Sequence, residues 1–511
     1  MIASNRRRHG LGLLMALASL SLLAWHLDRP ALWLDESASA VATQRSWPHL
    51  WLLLRGDDAP LVPFYALLKA LTSATTTMFP AAAQHPELLL RWPSALAAVL
   101  AAWLLTVWLG RFVPAPAVLG CGVFLLATAG FSRYGQEARP YAVVLLVAIT
   151  ATVLWERMVN DGRRWAGPYV LAVVALIAAN SLAGTLVLAH LVAALIAPGR
   201  SRRWSALRRT VAAAAAAGLL VAPLAVTVTR NGGGASRYPT LTPENLSLAF
   251  IHLFTGGDHR VFWIGTLLPF AGLGLTRVIS QEYGFVARLA AAWAIVPPLV
   301  LLPAVLTRPN LLIGRYLMFV VPAWAVLGGL GVVSAIELIR RVTGHRTPAV
   351  VVAAGLLAGA VVSQVPWMEQ VREPGGHGED LRPGLAAAEA LENARLPIYV
   401  TTQLGAIEVG AYDRAAEGRL IDLHIQRDLT SIWPTADPPP VRAAELRTAP
   451  TLLLLMRAAH QPGCDTTAPE PDAAVVARCL PPALQHRKYQ VISFQRSPAW
   501  TFALLRRPVG R

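Results

Sequence analysis

The stretch "LGLLMALASLSLLAWHLDRPALWLDESASA", residues 11–40, joins a long apolar run to two adjacent carboxylates, Asp35 and Glu36. The apolar run is close to the roughly 20 residues that a membrane-spanning helix needs. Three arginines, Arg6–Arg8, precede it, and the positive-inside rule places such residues in the cytoplasm. We therefore predict an uncleaved first helix that delivers the acidic doublet to the outer face of the membrane.

The composition extends this interpretation to most of the chain. Its 511 residues are 55% hydrophobic and only 14% charged, whereas a soluble protein carries about 25% charged residues. Apolar runs recur up to residue 366, and about eleven of them are predicted to span the membrane. The expected spans are 10–28, 92–110, 115–131, 140–156, 167–180, 182–197, 210–229, 262–279, 286–306, 316–336 and 348–366.

The net charge of +16 indicates topology, because the arginines fall in short clusters between the apolar runs. These clusters are Arg6–Arg8, Arg163–Arg164, Arg200–Arg203 with Arg208–Arg209, and Arg340–Arg341 with Arg346. With eleven spans, every cluster lies in the cytoplasm against anionic lipid, so no nucleic-acid partner is needed. The N-terminus is then cytoplasmic and the C-terminus lies outside. The high Ala, Arg and Pro content is typical of a GC-rich bacterium, whose outer face is periplasmic.

One segment is excluded from the spans. Residues 60–80, "PLVPFYALLKALTSATTTMFP", are predicted to form an external helix at the outer interface, with Tyr65 at the headgroup level and Lys69 snorkelling. The stretch before it resembles a second interfacial helix, with Ser46 as its N-cap. Counting 60–80 as a span would reverse every later loop and place the arginine clusters outside.

The chain changes character after Trp367. The first 366 residues contain 13 acids and the last 145 contain 16. The sequence "PGLAAAEALENARL" predicts a helix, and "PIYVTT", "TLLLLMRA", "YQVISFQ" and "TFALLRR" predict strands. We therefore predict two domains, a transmembrane domain over 1–366 and a small periplasmic α/β domain over 367–511. Outside the cytoplasm, Cys464 and Cys479 could form a disulfide.

Three groups of residues at the outer rim are candidates for chemistry. Carboxylates at a helix start, such as the Asp35–Glu36 doublet, are stabilised by the helix dipole and can act as bases or simply cap the helix. "SRYGQEARPY" (132–141) contributes Glu137, Arg139 and Tyr141, as either an ion pair or a phosphate site. Arg315 and Tyr316 enter a span from outside, as interfacial anchors or as phosphate ligands.

Other motifs are weaker or absent. The Gly-rich loop 230–261, with Arg237, Tyr238, His252 and Arg260, could close over a substrate, although nothing in its spacing requires this. The sequence contains no zinc-type His and Cys spacing, no P-loop and no nucleophile elbow. These absences leave the rim residues as the strongest candidates.

Five motifs in sequence order resemble a known family. They are "LWLDESASA", "APLVPFYALLKAL", "LLLRWPSALAAVLAAWL", "SRYGQEARPYAVVLLVA" and "GRYLMFVVPAWAVLGGLG". Over residues 10 to 340 the chain resembles the GT-C glycosyltransferases that use polyprenyl-phosphate sugars, the group of protein O-mannosyltransferases and lipid A aminoarabinose transferases. The resemblance weakens beyond residue 340.

The resemblance implies roles for particular residues. Asp35 would activate the acceptor, with Glu36 supporting it and Glu137 as a second acid. Arg139 and the Arg315–Tyr316 pair would meet the donor phosphate. Relatives often have His-Pro-Pro-Leu-Tyr where this chain has "DAPL" from Asp58, with Tyr65 later, so the role of that His is missing and Asp58 is expected to alter the acceptor pocket.

These features predict an inverting glycosyltransferase at the outer face of a bacterial cytoplasmic membrane. It would move a sugar from a polyprenyl-phosphate donor to a hydroxyl of a protein, glycan or lipid. A divalent metal is compatible with this chemistry, but no metal or other cofactor is predicted, because a monophosphate leaving group needs less charge neutralisation than a diphosphate. The alternatives are a flippase for a lipid-linked saccharide and a non-catalytic membrane scaffold; a flippase would be expected to show internal repeats or polar residues at mid-membrane depth.

Overall fold

The computed structural model describes most of the chain. The described residues are 2–231, 242, 252–255, 262–307, 314–390, 396–401, 403–412, 431–432, 449–457, 460–461, 464–465, 473–497 and 499–508. Much of the loop 230–261, including Arg237, Tyr238 and Arg260, lies outside this set, as do residues 308–313. The prediction of a closing loop is therefore not tested.

The described part of the chain is mainly helical. Its helices are α1 Ile2–Ala24, α2 Leu34–Gln44, α3 Trp47–Leu52, α4 Val62–Met78, α5 Pro86–Leu109, α6 Ala115–Ala127, α7 Ala129–Tyr134, α8 Tyr141–Asp161, α9 Ala166–Ala179, α10 Leu186–Leu195, α11 Arg200–Asn231, α12 Leu268–Ser280, α13 Gly284–Thr307, α14 Val321–Thr343, α15 Arg346–Gln370, α16 Arg382–Ala390, α17 Gln403–Tyr412, α18 Ala473–Arg478 and α19 Pro482–Gln485. Its strands are β1 Ile398–Val400, β2 Thr451–Arg457, β3 His460–Gln461, β4 Cys464–Asp465, β5 Gln490–Ser497 and β6 Trp500–Arg506.

The chain folds into two compact units. The first, which we call the helical unit, contains Met1–Trp25 and Arg91–Gln370. The second, which we call the mixed unit, contains His26–Leu90 and Val371–Arg511. The residues between the first two predicted spans thus belong to the same unit as the C-terminal part of the chain. The sequence-based boundary at residue 366 stays a prediction.

Apolar helices account for the helical unit. A helix is present at each of the eleven predicted spans. Among the described residues, six helices are long and apolar enough to cross a membrane: Pro86–Leu109, Tyr141–Asp161, Arg200–Arg230, Gly284–Pro303, Gly314–Thr343 and Arg346–Gln370. Shorter apolar helices lie at Ala115–Ala127, Ser181–Leu195 and Ile264–Val278. The prediction of a polytopic helical membrane protein is confirmed.

Close packing in the helical unit depends on glycine. Helix α14 packs against α6 and α12. A Cβ at Gly331 of α14 would overlap the Phe270 carbonyl oxygen of α12, and a Cβ at Gly329 would overlap the Ala117 carbonyl oxygen of α6. Small residues at such crossings let helix backbones approach closely, which is the usual basis of helix packing in lipid.

The mixed unit contains a four-stranded sheet in the order β1-β2-β6-β5. Strand β2 pairs in parallel with β1 and antiparallel with β6, and β5 pairs antiparallel with β6. The run "LLLLM" of β2 is apolar throughout because both faces of the strand are buried. One face packs with Val476 and Leu484, and the other packs with Leu381 and Trp500. The four predicted strands and the predicted helix are confirmed, the helix from Arg382 to Ala390.

The mixed unit also contains the helices that the sequence predicts to be external. Helix α2 packs against α4 and α17. Ser46 is the N-cap of α3, as predicted, and its side chain accepts a hydrogen bond from the His49 amide at 3.4 Å. Helix α4, in the segment 60–80, has 17 residues. Cys479 is disulfide-bonded, and Cys121 is free and buried in the helical unit.

Candidate active site

Helix α2 begins at the acidic doublet. Its N-cap is Trp33, an extended residue whose side chain makes no capping hydrogen bond, and Asp35 and Glu36 lie in the first turn. Glu36 is fully buried, whereas Asp35 is only partly buried. The carboxylate that a substrate can reach is therefore Asp35.

The chain leading into α2 is held by residues more than 340 positions later. The Ala31 amide donates to the Pro374 carbonyl at 2.8 Å, and the Leu32 amide donates to the Tyr412 hydroxyl at 2.6 Å. The Leu34 amide donates to Oε2 of Glu379 at 2.8 Å. These contacts fix the backbone on the N-terminal side of the doublet, so the C-terminal part of the chain is a structural component of this site.

Buried charges surround the doublet. Nδ1 of His377 lies 3.5 Å from Oε2 of Glu36. Arg457 donates to Oε1 of Glu379, and the Trp500 indole donates to Oε2 of Glu408 at 2.9 Å. Burial raises the pKa of Glu408 to about 8, and the negative charge of Glu379 contributes to that rise. This group of acids therefore holds a proton near neutral pH.

A neighbouring ionic cluster joins the same two parts of the chain. Arg382 donates to Oε1 of Glu87 at 3.1 Å and to Oδ1 of Asp380 at 3.0 Å. Its guanidinium also donates to the Arg29 carbonyl at 2.8 Å. The Tyr412 hydroxyl donates to the same Glu87 oxygen at 3.1 Å. Tyr412 thus connects this cluster to the Leu32 amide.

The other sequence-predicted residues of the mixed unit make local contacts. Asp58 is buried, and its Oδ2 accepts from the Ile432 amide at 3.0 Å. Tyr65 is fully buried. The Lys69 ammonium donates to the Thr43 carbonyl at 2.8 Å, near the end of α2, and lies 5.5 Å from the centre of the Trp47 ring. Their roles in substrate binding stay predictions.

In the helical unit, Glu137 pairs with a residue that the sequence analysis did not single out. Its Oε1 accepts from Nε of Arg133 at 2.9 Å, and Glu137 is fully buried. Arg139 is also buried, and its carbonyl accepts from the Ser94 hydroxyl at 3.4 Å. Of the two alternatives for 132–141, the ion pair is therefore present, and it involves Arg133.

Aromatic rings connect this motif to the second arginine motif. The ring centres of Tyr134 and Tyr141 are 5.3 Å apart, and those of Tyr141 and Tyr316 are 6.4 Å apart. The Arg315 guanidinium lies 5.9 Å from the Tyr316 ring, and Arg315 and Tyr316 are both partly buried. The Tyr316 carbonyl accepts from the Asn180 amide group at 3.0 Å. The two motifs predicted to meet the donor phosphate thus lie together in one unit.

Eight charged residues of these clusters were not predicted from the sequence: Glu87, Arg133, His377, Glu379, Asp380, Arg382, Glu408 and Arg457. Arg133 lies in a motif that was quoted. The stretch "REPGGHGED" (372–380), dense in charge directly after the last span, was a usable signal for His377 and Glu379. Glu408 and Arg457 lie in apolar segments without a motif.

Among the described residues, no group of three or more His, Cys, Asp or Glu side chains is placed to hold a metal ion. The expectation of a metal-independent reaction stays a prediction.

Together the two units define a polytopic helical membrane protein with a small C-terminal α/β part. No protein-family model and no curated protein sequence matches the chain. Among solved structures, the chain is similar to ArnT from Cupriavidus metallidurans, with 15% identity over 97% of this chain and 98% of that one. The TM-score is 0.55 for ArnT bound to undecaprenyl phosphate and 0.56 for its apo state. ArnT, a lipid A aminoarabinose transferase, belongs to the GT-C superfamily, so the fold predicted from the sequence motifs is confirmed.

Proposed function

We propose that the protein is an inverting glycosyltransferase that moves a sugar from a polyprenyl-phosphate donor to an acceptor hydroxyl. One observation carries the proposal: in a chain with the fold of ArnT, the first external helix begins with one accessible carboxylate, Asp35, beside a buried one, Glu36. The similar ArnT structure is bound to undecaprenyl phosphate, a lipid phosphate of the class that would carry the sugar.

The reaction is a single displacement at the anomeric carbon. The acceptor oxygen forms the new bond to that carbon as the bond to the phosphate oxygen breaks. The electron pair of the broken bond leaves with the polyprenyl phosphate, which is already a stabilised anion. The hydroxyl proton passes to a carboxylate acting as general base. Attack from the face opposite the phosphate inverts the configuration.

The three candidate acids, Asp35, Glu36 and Glu137, differ in solvent exposure and in ion pairing, and we use these differences to assign their roles. The carboxylate of Glu36 lies close to His377, and that of Glu137 forms an ion pair with Arg133. Glu36 and Glu137 are both fully buried. A general base must reach the proton that it removes. We therefore assign the base to Asp35, and we assign Glu36 and Glu137 supporting roles that hold the surrounding groups in place.

The guanidinium and phenol groups of the helical unit are proposed to bind the donor phosphate. Arg315 and Tyr316 are partly exposed, and the Tyr141 ring packs against the Tyr316 ring at a tilted angle. Guanidinium groups bind phosphate oxygens bidentately, and the low dielectric near a membrane strengthens that contact. Arg133, 27% exposed, is the additional candidate that the structure contributes, whereas Arg139 is more deeply buried. Convergence of these cations with Asp35 on one sugar stays a prediction.

The proposed location is the outer face of a bacterial cytoplasmic membrane. Disulfides persist in oxidising compartments, and Cys479 of the C-terminal part is disulfide-bonded. This supports a periplasmic C-terminal part. The partners would be the lipid-linked donor, the surrounding lipids, and a protein, glycan or lipid acceptor.

Substitution of Asp35 by Asn tests the proposal. The purified protein is incubated with a panel of undecaprenyl-phosphate pentoses and hexoses, each carrying a radiolabelled sugar, and with bacterial envelope as the acceptor. We expect transfer of label by the wild type and a loss of at least about a hundredfold in Asp35→Asn, since the base is removed while shape is kept. Asp28→Asn, an exposed acid of the same external segment, is the matched control and retains wild-type transfer.

Three results would contradict this proposal. Undiminished transfer by Asp35→Asn would remove Asp35 from the role of base. No transfer of any labelled sugar by the wild type, together with movement of the intact donor across a vesicle membrane, would favour the flippase. No transfer and no movement would favour the scaffold.

A further inference from the structure

We infer that Glu379 is a positioning residue for the proposed transfer, because its carboxylate caps helix α2 and so directs the Asp35 side chain. The inference rests on the proposed function, since it concerns what holds the base of that reaction. Its basis is a set of contacts within the mixed unit.

The first step is the cap itself. The Leu34 amide is the first N–H of α2, and the first amides of a helix have no partner within the helix. A Ser, Thr, Asp or Asn before the helix commonly fills this need, but Trp33 stands there and its side chain forms no capping bond. Oε2 of Glu379 accepts from the Leu34 amide at 2.8 Å. The helix thus receives from a distant carboxylate the cap that its own sequence does not supply.

The second step is that the cap is rigidly held. Arg457 of strand β2 donates to the other carboxylate oxygen of Glu379. Two other residues of the loop that carries Glu379 also contact this region. Nδ1 of His377 lies 3.5 Å from Oε2 of Glu36, and the Pro374 carbonyl accepts a hydrogen bond from the Ala31 amide at 2.8 Å. One short loop therefore holds the chain before, at and after the start of α2. Asp35 is the second residue of the helix, so its direction follows from the position of this first turn.

The third step is electrostatic. Burial raises the pKa of the Glu379 carboxyl, the Arg457 guanidinium opposes that rise, and the negative charge of Asp35 adds to it. Among the described residues, the charged or titratable groups that act on Glu379 are Asp35 from α2, Glu408 from α17 and Arg457 from β2. Glu379 therefore acts on Asp35 in two separable ways, through the geometry of the helix start and through its charge.

Two variants separate these effects. Glu379→Gln keeps an oxygen that can accept from the Leu34 amide but removes the charge, whereas Glu379→Ala removes both. We expect Glu379→Ala to lower kcat at least about tenfold with little change in the donor KM, because a misdirected base weakens the chemical step more than binding. Glu379→Gln retains more activity than Glu379→Ala.

The control variant and a second measurement keep a fold defect apart from a positioning effect. Glu373→Ala changes an exposed acid on the same loop and retains wild-type kinetics and pH profile. Hydrogen exchange of a peptide covering 31–44 reports the cap directly. Exchange at the first amides of α2 is expected to rise in Glu379→Ala and to stay near the wild-type rate in Glu379→Gln.

Failure of this inference differs from failure of the proposed function. A wild type that transfers sugar, with Glu379→Ala matching its kcat, overturns the positioning role and leaves the transferase intact. A wild type that transfers no sugar overturns both. Unchanged exchange at the start of α2 in Glu379→Ala overturns the cap whatever the kinetics show.

Discussion

The Glu408 carboxyl lies buried among other acids, and this makes the stability of the mixed unit depend on pH. Burial raises its pKa from the ordinary value of 4.5 to about 8. Between these values the folded protein binds more protons than the unfolded chain, so the free energy of unfolding falls as pH rises. The stabilising contribution of protonation is complete below about pH 4.5 and is lost as pH rises toward 8.

Glu408→Gln tests this dependence. The Gln oxygen can still accept from the Trp500 indole, but it has no proton to lose. Between pH 6 and pH 8.5 we expect the melting temperature of the wild type to fall further than that of Glu408→Gln, and the difference corresponds to about 2–3 kcal/mol of unfolding free energy. Thermal unfolding in nanodiscs across this range is the measurement. Glu373→Gln is the control and follows the wild type; parallel wild-type and Glu408→Gln curves would show that Glu408 is ionised throughout.

At the residue scale, sequence and structure differ in what they reveal about the site. The doublet at 35–36 can be singled out from the sequence because two adjacent carboxylates soon after an apolar run form a local pattern. Its partners were not, because Glu379 and Arg457 are each more than 340 residues away and no local rule connects them. The Glu137–Arg133 pair was half predictable, because the motif contains Arg133 as well as Arg139 and the sequence does not show which guanidinium Glu137 contacts.

At the scale of helices, the close crossing of α14 with α12 requires a residue without a Cβ at position 331, which is Gly331. A methyl group there would overlap the Phe270 carbonyl oxygen, and backbone cannot move aside as a flexible side chain can. We expect Gly331→Ala to destabilise the protein by roughly 1–3 kcal/mol, the usual cost of overpacking. The measurement is the melting temperature in detergent or nanodiscs.

Gly355 of α15 is the matched control. A Cβ at this position meets nothing within 4 Å. In an open helical position Ala is favoured over Gly by roughly 0.5–1 kcal/mol, so Gly355→Ala is expected to keep or slightly raise the melting temperature. Equal effects of the two substitutions would mean that helix propensity, and not close packing, determines the outcome at Gly331.

The elements themselves were largely predictable. Apolar length alone located the spans, and β-rich runs between Pro and Gly residues located β1, β2, β5 and β6. Helix α17 was not predicted, because "QLGAIEVGAY" contains two glycines and no capping motif. Gly405 is explained only by tertiary structure, since a Cβ there would overlap Val400 and come close to Trp500. Packing against α2 and the sheet outweighs the low helix propensity of glycine.

At the scale of the molecule, the two units are both discontinuous in sequence. Residues 26–90 share a unit with residues 371–511, joined by the Glu379 and Arg382 contacts. Composition shows where the chain becomes more polar, and it therefore placed a boundary near residue 366. It carries no information about which earlier segment the polar part folds onto, because that depends on pairs of residues hundreds of positions apart.

Topology is the property of the whole molecule that the arginine clusters predict most sharply. If the N-terminus is cytoplasmic and α4 does not span the membrane, residues 162–164 and 199–203 lie in the cytoplasm and the C-terminus lies on the outer side. Alkaline phosphatase is active only outside the cytoplasm, so we expect activity when it is fused after the last residue and none when it is fused after Gly162 or Gly199. Green fluorescent protein at the same positions is expected to give the opposite pattern. If α4 crosses the membrane, every later loop reverses, and the fusions after Gly162 and Gly199 become the active ones.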